Sequence, residues 1–97
     1  MIQKVCLKNG VSIRLTDKRW AHISEEHSEL AGLRPEVLET VANPTRVLEG
    51  GQGEFFAVRG INSGKNLVVV YRGSENDGFI ITAFITSKLE PLNRKTH

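Results

Sequence analysis

The spacing of apolar positions changes along this chain, and the change separates predicted helices from predicted strands. Between residues 17 and 30, apolar side chains recur every three or four positions, as in a helix that buries one side. At about 100° per residue, two sides of this helix can be distinguished. The more apolar side comprises Trp20, Ile23, His27 and Leu30. The more polar side comprises Arg19, His22, Glu26 and Glu29.

A β-hairpin is expected before this helix and a second helix after it. Residues 2–8 and 11–15 alternate around an Asn-Gly pair, which is the strongest short signal for a hairpin turn. The second helix should begin near Pro35, because proline suits the first helical position. It should end near Asn43, since the residue before Pro44 is sterically restrained from helical geometry.

The second half of the chain is dominated by segments typical of strands. A short strand is expected over residues 45–49, followed by longer ones over 54–61, 65–72 and 79–87. The turns between them are short, which favours antiparallel pairing because parallel strands need long crossovers. The predicted fold class is α+β, with an N-terminal β-hairpin and two helices packed on a three- to four-stranded antiparallel sheet.

The last predicted strand should have one apolar face and one mixed face, because side chains alternate along a strand. The apolar face comprises Phe79, Ile81, Ala83, Ile85 and Ser87, and the first four of these are expected to pack against the helices. The mixed face comprises Ile80, Thr82, Phe84, Thr86 and Lys88. A sheet with one face on helices and the other open to a ligand would fit this pattern. Threonine is also a good strand former, so each threonine has an equally good structural explanation.

Length and composition indicate one globular domain of ordinary polarity. The chain has 97 residues, of which 39% are hydrophobic and 25% charged; we expect a core over about residues 11–88 and a frayed polar tail over 89–97. No apolar stretch is long enough for a transmembrane helix, so the expected location is cytoplasmic. The single cysteine, Cys6, cannot form an internal disulfide and is expected to be a small buried side chain. A formal charge of +2 permits an anionic partner without requiring one.

Two histidines in the first predicted helix are the main candidates for chemistry, since histidine transfers protons near neutral pH. His27 shares the apolar side, so a packed structural histidine is an equally good explanation. His22 lies beside Arg19 and Glu26, so a surface histidine next to a helix ion pair is an equally good alternative. Five positions of a helix separate the two histidines by about 140°, and no cysteine or close carboxylate completes a metal site. No metal or cofactor is therefore expected.

Several motifs occur in an order that resembles a known nuclease superfamily. They are Trp-x-His-Ile-x-x-x-His, a second helix ending in Asn-Pro, Gly-x-x-Gly-Glu before a strand, Leu-Val-Val-Val, and Phe-Ile-Ile-Thr-Ala-Phe-Ile-Thr. Over about residues 13–88, this order resembles the phage- and plasmid-associated members of the barnase–EndoU–colicin–RelE nuclease superfamily. Members of that superfamily have N-terminal helices packed on an antiparallel sheet. Many are metal-independent ribonucleases, often toxins or effectors that an immunity protein or antitoxin holds inactive.

The resemblance implies a metal-independent endoribonuclease of toxin or effector type. It also implies RNA as the substrate, an acidic antitoxin or immunity protein as the partner, and no cofactor. The catalytic residues that it implies are His22, His27, Thr82 and Thr86. The substrate-binding residues that it implies are Arg19, Arg59, Tyr71, Arg72 and Lys88.

In the implied reaction, a general base takes the proton of a ribose 2′-hydroxyl, the alkoxide attacks phosphorus, and a general acid protonates the leaving 5′-oxygen. We expect His22 to transfer the proton, because its side of the helix is less apolar than that of His27. Two alternatives are a non-catalytic nucleic-acid- or protein-binding module of a mobile element and a small structural domain with packed histidines. An enzyme requires at least one of these histidines to share a cleft with Thr82, Thr86 or a basic side chain.

Overall fold

The chain forms two helices, a single 3₁₀ turn and one six-stranded sheet in the computed structural model, which describes residues 2–62, 64–73 and 77–88. The strands are β1 (Ile2–Cys6), β2 (Ser12–Thr16), β3 (Arg46–Glu49), β4 (Phe55–Gly60), β5 (Asn66–Gly73) and β6 (Asp77–Thr86). The helices are α1 (Asp17–Glu26) and α2 (Arg34–Ala42), with the 3₁₀ turn at Ser28–Leu30 between them. The α+β class is therefore as predicted, while the predicted tail, 89–97, lies outside the described residues.

The sheet is mixed and larger than the three- to four-stranded sheet that was expected. Its strand order is β1-β2-β6-β5-β4-β3, so the N-terminal hairpin is part of the sheet. β2 runs parallel to β6, with Ser12 opposite Asp77 and Arg14 opposite Phe79, and the other neighbouring strands pair antiparallel. The helices and the intervening strands supply the long connection that a parallel pair needs. This pairing joins segments from opposite ends of the chain, so no local sequence signal indicates it.

The first helix begins at a side-chain cap and ends earlier than its apolar spacing predicts. The Oγ1 of Thr16 accepts a hydrogen bond of 3.0 Å from the backbone N–H of Arg19 and so caps the start of α1. His27 leaves helical geometry, although its N–H still donates to the carbonyl of Ile23 at 2.8 Å. The 3₁₀ turn that follows brings Leu30 into the buried core. The predicted apolar side of the helix therefore continues into this turn.

Buried apolar side chains form two clusters on opposite faces of the sheet. The cluster between the sheet and the helices comprises Ile13, Leu15, Ile23, Leu30, Val37, Val41, Ala57, Leu67, Val69, Tyr71, Ile80 and Ala83. Among the described residues, the other cluster comprises strand residues alone: Leu48, Phe56, Val58, Val68 and Val70, with Ile81 and Phe84 packed against them. We call these two sides of the sheet the helix face and the open face, the second so named because neither described helix contributes to its cluster.

The last strand contains a β-bulge. Val70 and Thr82 are partners across the sheet, but the next partners along are Tyr71 and Ile80. Ile81 is therefore the extra residue, and the alternation along β6 changes phase at this position. A change of phase moves the side chains on one side of the bulge to the face opposite from the one that simple alternation predicts.

Because of the bulge, some residues of β6 lie on the face opposite to the predicted one. Ala83 and Ile85 lie on the helix face as expected. Phe79 and Ile81 do not: Phe79 is exposed, and Ile81 packs against the open-face cluster. Ile80 occupies the helix face instead and is only 1% exposed. The prediction that Phe79 and Ile81 pack on the helices is therefore wrong, because strict alternation takes no account of a bulge.

The burial of Cys6 also differs from the expectation. Its side chain is exposed, because it lies on the edge strand β1 opposite Ser12 and away from the helix face. Among the described residues, no helix has the length and apolar character needed to cross a membrane.

Candidate functional site

One edge of β6 is covered by α1 instead of by a strand. β2 pairs with β6 only as far as Arg14 opposite Phe79, and the chain then passes through Thr16 directly into α1. Both α1 and the 3₁₀ turn consequently contact β6. At this junction the Arg19 guanidinium donates a hydrogen bond of 3.4 Å from Nη1 to the carbonyl of Ile81. A cation is thereby held where α1 meets the sheet.

His22 lies in a groove beside this junction. The groove has a volume of about 420 Å³ and is lined by Thr16, Lys18, Arg19 and His22, and we call it the His22 groove. The His22 side chain is 58% exposed, and its Nε2 lies 3.3 Å from Oε1 of Glu26. A group capable of proton transfer and two cations therefore share one accessible groove, which is a suitable environment for a phosphate.

His27 approaches the sheet from the end of α1. Its ring centroid lies 6.4 Å from that of Phe84, with the two planes inclined by 39°. Its Nδ1 lies 3.6 Å from Oε2 of Glu29, and the side chain is 34% exposed. A carboxylate beside one ring nitrogen orients a histidine and leaves the other nitrogen for proton transfer. His27 is therefore more confined than His22 and contacts a different part of β6.

Thr82 and Thr86 flank Phe84 on the same face of β6, since alternate residues of a strand share a face. The Oγ1 of Thr86 accepts a hydrogen bond of 3.0 Å from the N–H of Lys88 and donates one of 3.1 Å to its carbonyl. Thr86 therefore stabilises the turn at the end of β6. Thr82 is partly buried and follows directly after Ile81, whose carbonyl accepts the hydrogen bond from Arg19.

Tyr71 and Arg59 lie on the helix face, away from Thr82. The Tyr71 ring is buried and stacks on Phe55, with ring centroids 5.5 Å apart, and burial raises the pKa of its phenol. Nη1 of Arg59 lies 3.9 Å from Oε2 of Glu39 in α2. The structure therefore does not bring these two predicted substrate-binding residues to the face of the sheet that carries Thr82.

The other predicted cations are accessible, and the structure adds one more. Arg72 is exposed and lies opposite Phe79 on the open face, whereas Lys88 is exposed just beyond the end of β6. Arg14 lies opposite the other side of Phe79 and was not a sequence candidate. Its alternation with buried residues of β2 indicates an outward side chain, but its place beside β6 follows only from the parallel pairing.

Metal ligands do not cluster in the part of the chain that the structure describes. No group of three or more His, Cys, Asp or Glu side chains suitable for holding a metal ion occurs there. In comparisons with known proteins, no family model, no curated protein and no solved structure matches this chain. Its function is therefore inferred from the residues at the junction of α1 and β6.

Proposed function

We propose that this chain is a metal-independent endoribonuclease, toxin- or effector-like, with its site at the junction of α1 and β6. The observation that carries the proposal is the His22 groove, in which His22 lies with Lys18 and Arg19. Arg19 connects this groove to β6 through its hydrogen bond to the carbonyl of Ile81. This arrangement combines a proton-transfer group with cations that bind phosphate, which are the two requirements of the reaction.

RNA supplies its own nucleophile in the proposed reaction, so RNA and not DNA is the substrate. His22 takes the proton of a ribose 2′-hydroxyl, and the resulting oxygen attacks the adjacent phosphorus. The bond between phosphorus and the 5′-oxygen breaks, and a general acid protonates that oxygen. The products are a 2′,3′-cyclic phosphate and a 5′-hydroxyl. Lys18 and Arg19 stabilise the negative charge that develops on the phosphoryl oxygens.

His27 and Thr82 are assigned to the leaving-group side of the site. The contact of His27 with Phe84 puts it beside the strand that carries Thr82, and Glu29 lies next to its Nδ1. His27 is accordingly the candidate general acid, and the Thr82 hydroxyl is a donor for a phosphate oxygen.

The proposal includes a cytoplasmic location and an inhibitory partner. The partner is an acidic antitoxin or immunity protein, since carboxylates complement the cations of the His22 groove and would exclude RNA from it.

Cleavage of mixed RNA by the purified protein in EDTA tests the proposal. We expect fragments with 2′,3′-cyclic phosphate and 5′-hydroxyl ends in end-group analysis, because the 2′-oxygen is the nucleophile. Single-stranded DNA is the control and should stay intact, since it lacks that hydroxyl. Cleavage that needs added Mg²⁺, or fragments that carry 5′-phosphates, would contradict the mechanism.

A non-catalytic nucleic-acid- or protein-binding module with the same fold is the second candidate. It is favoured by the pairing of both histidines with carboxylates of their own segment, Glu26 beside His22 and Glu29 beside His27. Pairs of this kind are ordinary on protein surfaces and require no chemistry. Such a module would bind RNA or a protein partner but leave RNA intact in the EDTA assay.

A further inference from the structure

Three adjacent strands place an exposed aromatic side chain between two arginines on the open face. Phe79 of β6 lies opposite Arg14 of β2 on one side and opposite Arg72 of β5 on the other. Phe79 is 44% exposed although its strand has neighbours on both sides at this point. Residues directly opposite each other on paired strands share a face and approach closely, so the three side chains form one surface. We call this surface the Phe79 row.

We infer that the Phe79 row is a stacking subsite for a base of single-stranded RNA, an inference that rests on the proposed function in taking RNA as the ligand. One base lies on the Phe79 ring, and Arg14 and Arg72 bind the phosphates on either side of that nucleotide. Aromatic side chains in a positively charged groove bind single strands because every base has a face that stacks. A duplex, whose bases already stack on each other, does not offer a free base to this ring.

Shared lining residues connect the Phe79 row to the His22 groove. Arg19 lines the His22 groove and also a second groove, of about 250 Å³. Arg14 and Phe79 line that second groove and a third one, of about 360 Å³, which contains Arg72. The three grooves therefore form a series that joins the Phe79 row to the His22 groove, with Arg72, Arg14 and Arg19 along it to bind phosphates of a single strand of RNA.

The surroundings of the two arginines leave them able to bind phosphate. Nη2 of Arg14 lies 3.2 Å from Oδ2 of Asp77, and both side chains of this pair are partly exposed. A guanidinium has several donors, so the pair orients Arg14 while other donors stay available for a phosphate. At Gly53 an added Cβ would come within 3.2 Å of Nη1 of Arg72. The missing side chain at Gly53 therefore lets the Arg72 guanidinium lie against the backbone of this loop, and Arg72 is exposed there.

Binding of an uncleavable single strand tests the inference separately from catalysis. The probe is a fluorescein-labelled 2′-O-methyl RNA oligonucleotide, whose blocked 2′-oxygen cannot attack phosphorus, and the readout is fluorescence anisotropy. We expect Phe79→Ala to weaken binding about 5- to 150-fold, the range for loss of one base–aromatic stack. Phe79→Tyr keeps an aromatic ring and should bind as the wild type does.

Two further variants separate stacking from general apolar contact. Phe79→Leu keeps an apolar side chain without a ring, so it should weaken binding nearly as much as Phe79→Ala. Val47→Ala removes a side chain that is as exposed as Phe79, at 44%, but lies on β3 at the far edge of the sheet, and it should leave the affinity unchanged. Wild-type affinity of Phe79→Leu, or an equal loss for Val47→Ala, would overturn the stacking role.

The remaining outcomes distinguish the subsite from the nuclease proposal. Unchanged affinity of Phe79→Ala overturns the subsite, as does an equal loss of affinity for labelled polyphosphate, which has no bases. Loss of self-association in place of RNA binding would also overturn it and make the Phe79 row a contact between copies of the chain. Binding that depends on Phe79 without any RNA cleavage supports the subsite and rejects the nuclease. If the protein cleaves RNA and Phe79→Ala binds RNA with unaltered affinity, the subsite is rejected and the nuclease proposal stands.

Discussion

The helix face and the open face of the sheet are built from similar apolar sequence but differ in what surrounds it. On the helix face, Leu67 and Val69 are fully buried in a cluster that includes residues of both helices. On the open face, Val68 and Val70 are also buried, yet within the described ranges the cluster around them contains only strand residues. The same face carries the exposed Phe79 between two arginines. Hydrophobicity alone therefore does not distinguish the core face from the face proposed to bind RNA; the polar side chains at the margin do.

Because of this difference, we expect substitutions on the two faces to have different effects. A truncation on the helix face removes apolar contacts from both a strand and a helix, so it should lower the free energy of unfolding. A substitution among the exposed residues beside α1 or on the open face removes few buried contacts, so it should change RNA binding or cleavage while the protein stays folded.

His22→Ala is expected to have the largest effect, because loss of a general acid or base lowers a rate by about 10²–10⁴-fold. We expect that reduction in the initial rate of RNA cleavage. The free energy of unfolding should change by no more than about 0.5 kcal/mol, as is usual for an exposed side chain such as this one.

The matched control for this variant is Glu25→Ala, at another exposed position of α1, which should cleave RNA at the wild-type rate. Wild-type cleavage by His22→Ala combined with a defect in His27→Ala would transfer the proton-abstracting role to His27. Full activity in both histidine variants would reject the ribonuclease proposal in favour of the binding module.

Ile80→Ala and Ile81→Ala test which of these two residues of β6 lies in the core on the helix face. Ile80 is 1% exposed on the helix face, so its truncation should lower the free energy of unfolding by about 2–5 kcal/mol. Ile81 is only partly buried at the bulge, so the same truncation should lower it by clearly less. Urea denaturation of the two variants measures the difference. A larger loss for Ile81→Ala would mean that simple alternation, and not the bulge, describes β6.

Local features of the fold can be predicted from the sequence, whereas its long-range features cannot. The Asn-Gly turn, Pro35 near the start of α2 and Pro44 after its end each act within a few residues, so the hairpin and α2 lie close to their predicted positions. The parallel pairing of β2 with β6 and the bulge at Ile81 arise from contacts between distant segments. The spacing of apolar residues within one segment contains no information about such contacts.

The candidate site, too, could be predicted from the sequence only where its residues are close in the chain. Helical spacing is enough to put Arg19 beside His22, since residues three apart share a side of a helix. Strand alternation separates Tyr71 from its neighbours but does not say which face the helices will cover. The sequence therefore cannot exclude Tyr71 and Arg59 from the site, and it cannot select Arg14, whose neighbour Phe79 is known only from the sheet order.

Thr16→Ala is the smallest expected change, and it tests how the sheet is joined to the helix that carries His22. Thr16 ends β2, and its Oγ1 accepts the N–H of Arg19 at 3.0 Å. Loss of an N-cap side chain lowers the free energy of unfolding by about 0.5–2 kcal/mol. Thr16→Ser keeps the acceptor, so its midpoint in urea denaturation should stay close to that of the wild type. An unchanged midpoint for Thr16→Ala would contradict the cap.

Cleavage by the same two variants sharpens this prediction, because Thr16 also lines the His22 groove. If the cap acts only by positioning α1, serine restores stability and RNA cleavage together, since both depend on the same hydrogen bond to Arg19. Restored stability without restored cleavage would instead assign the threonine methyl group, the only part that serine lacks, to contact with the substrate. The pair of variants therefore separates a residue that holds the site in place from one that touches the RNA.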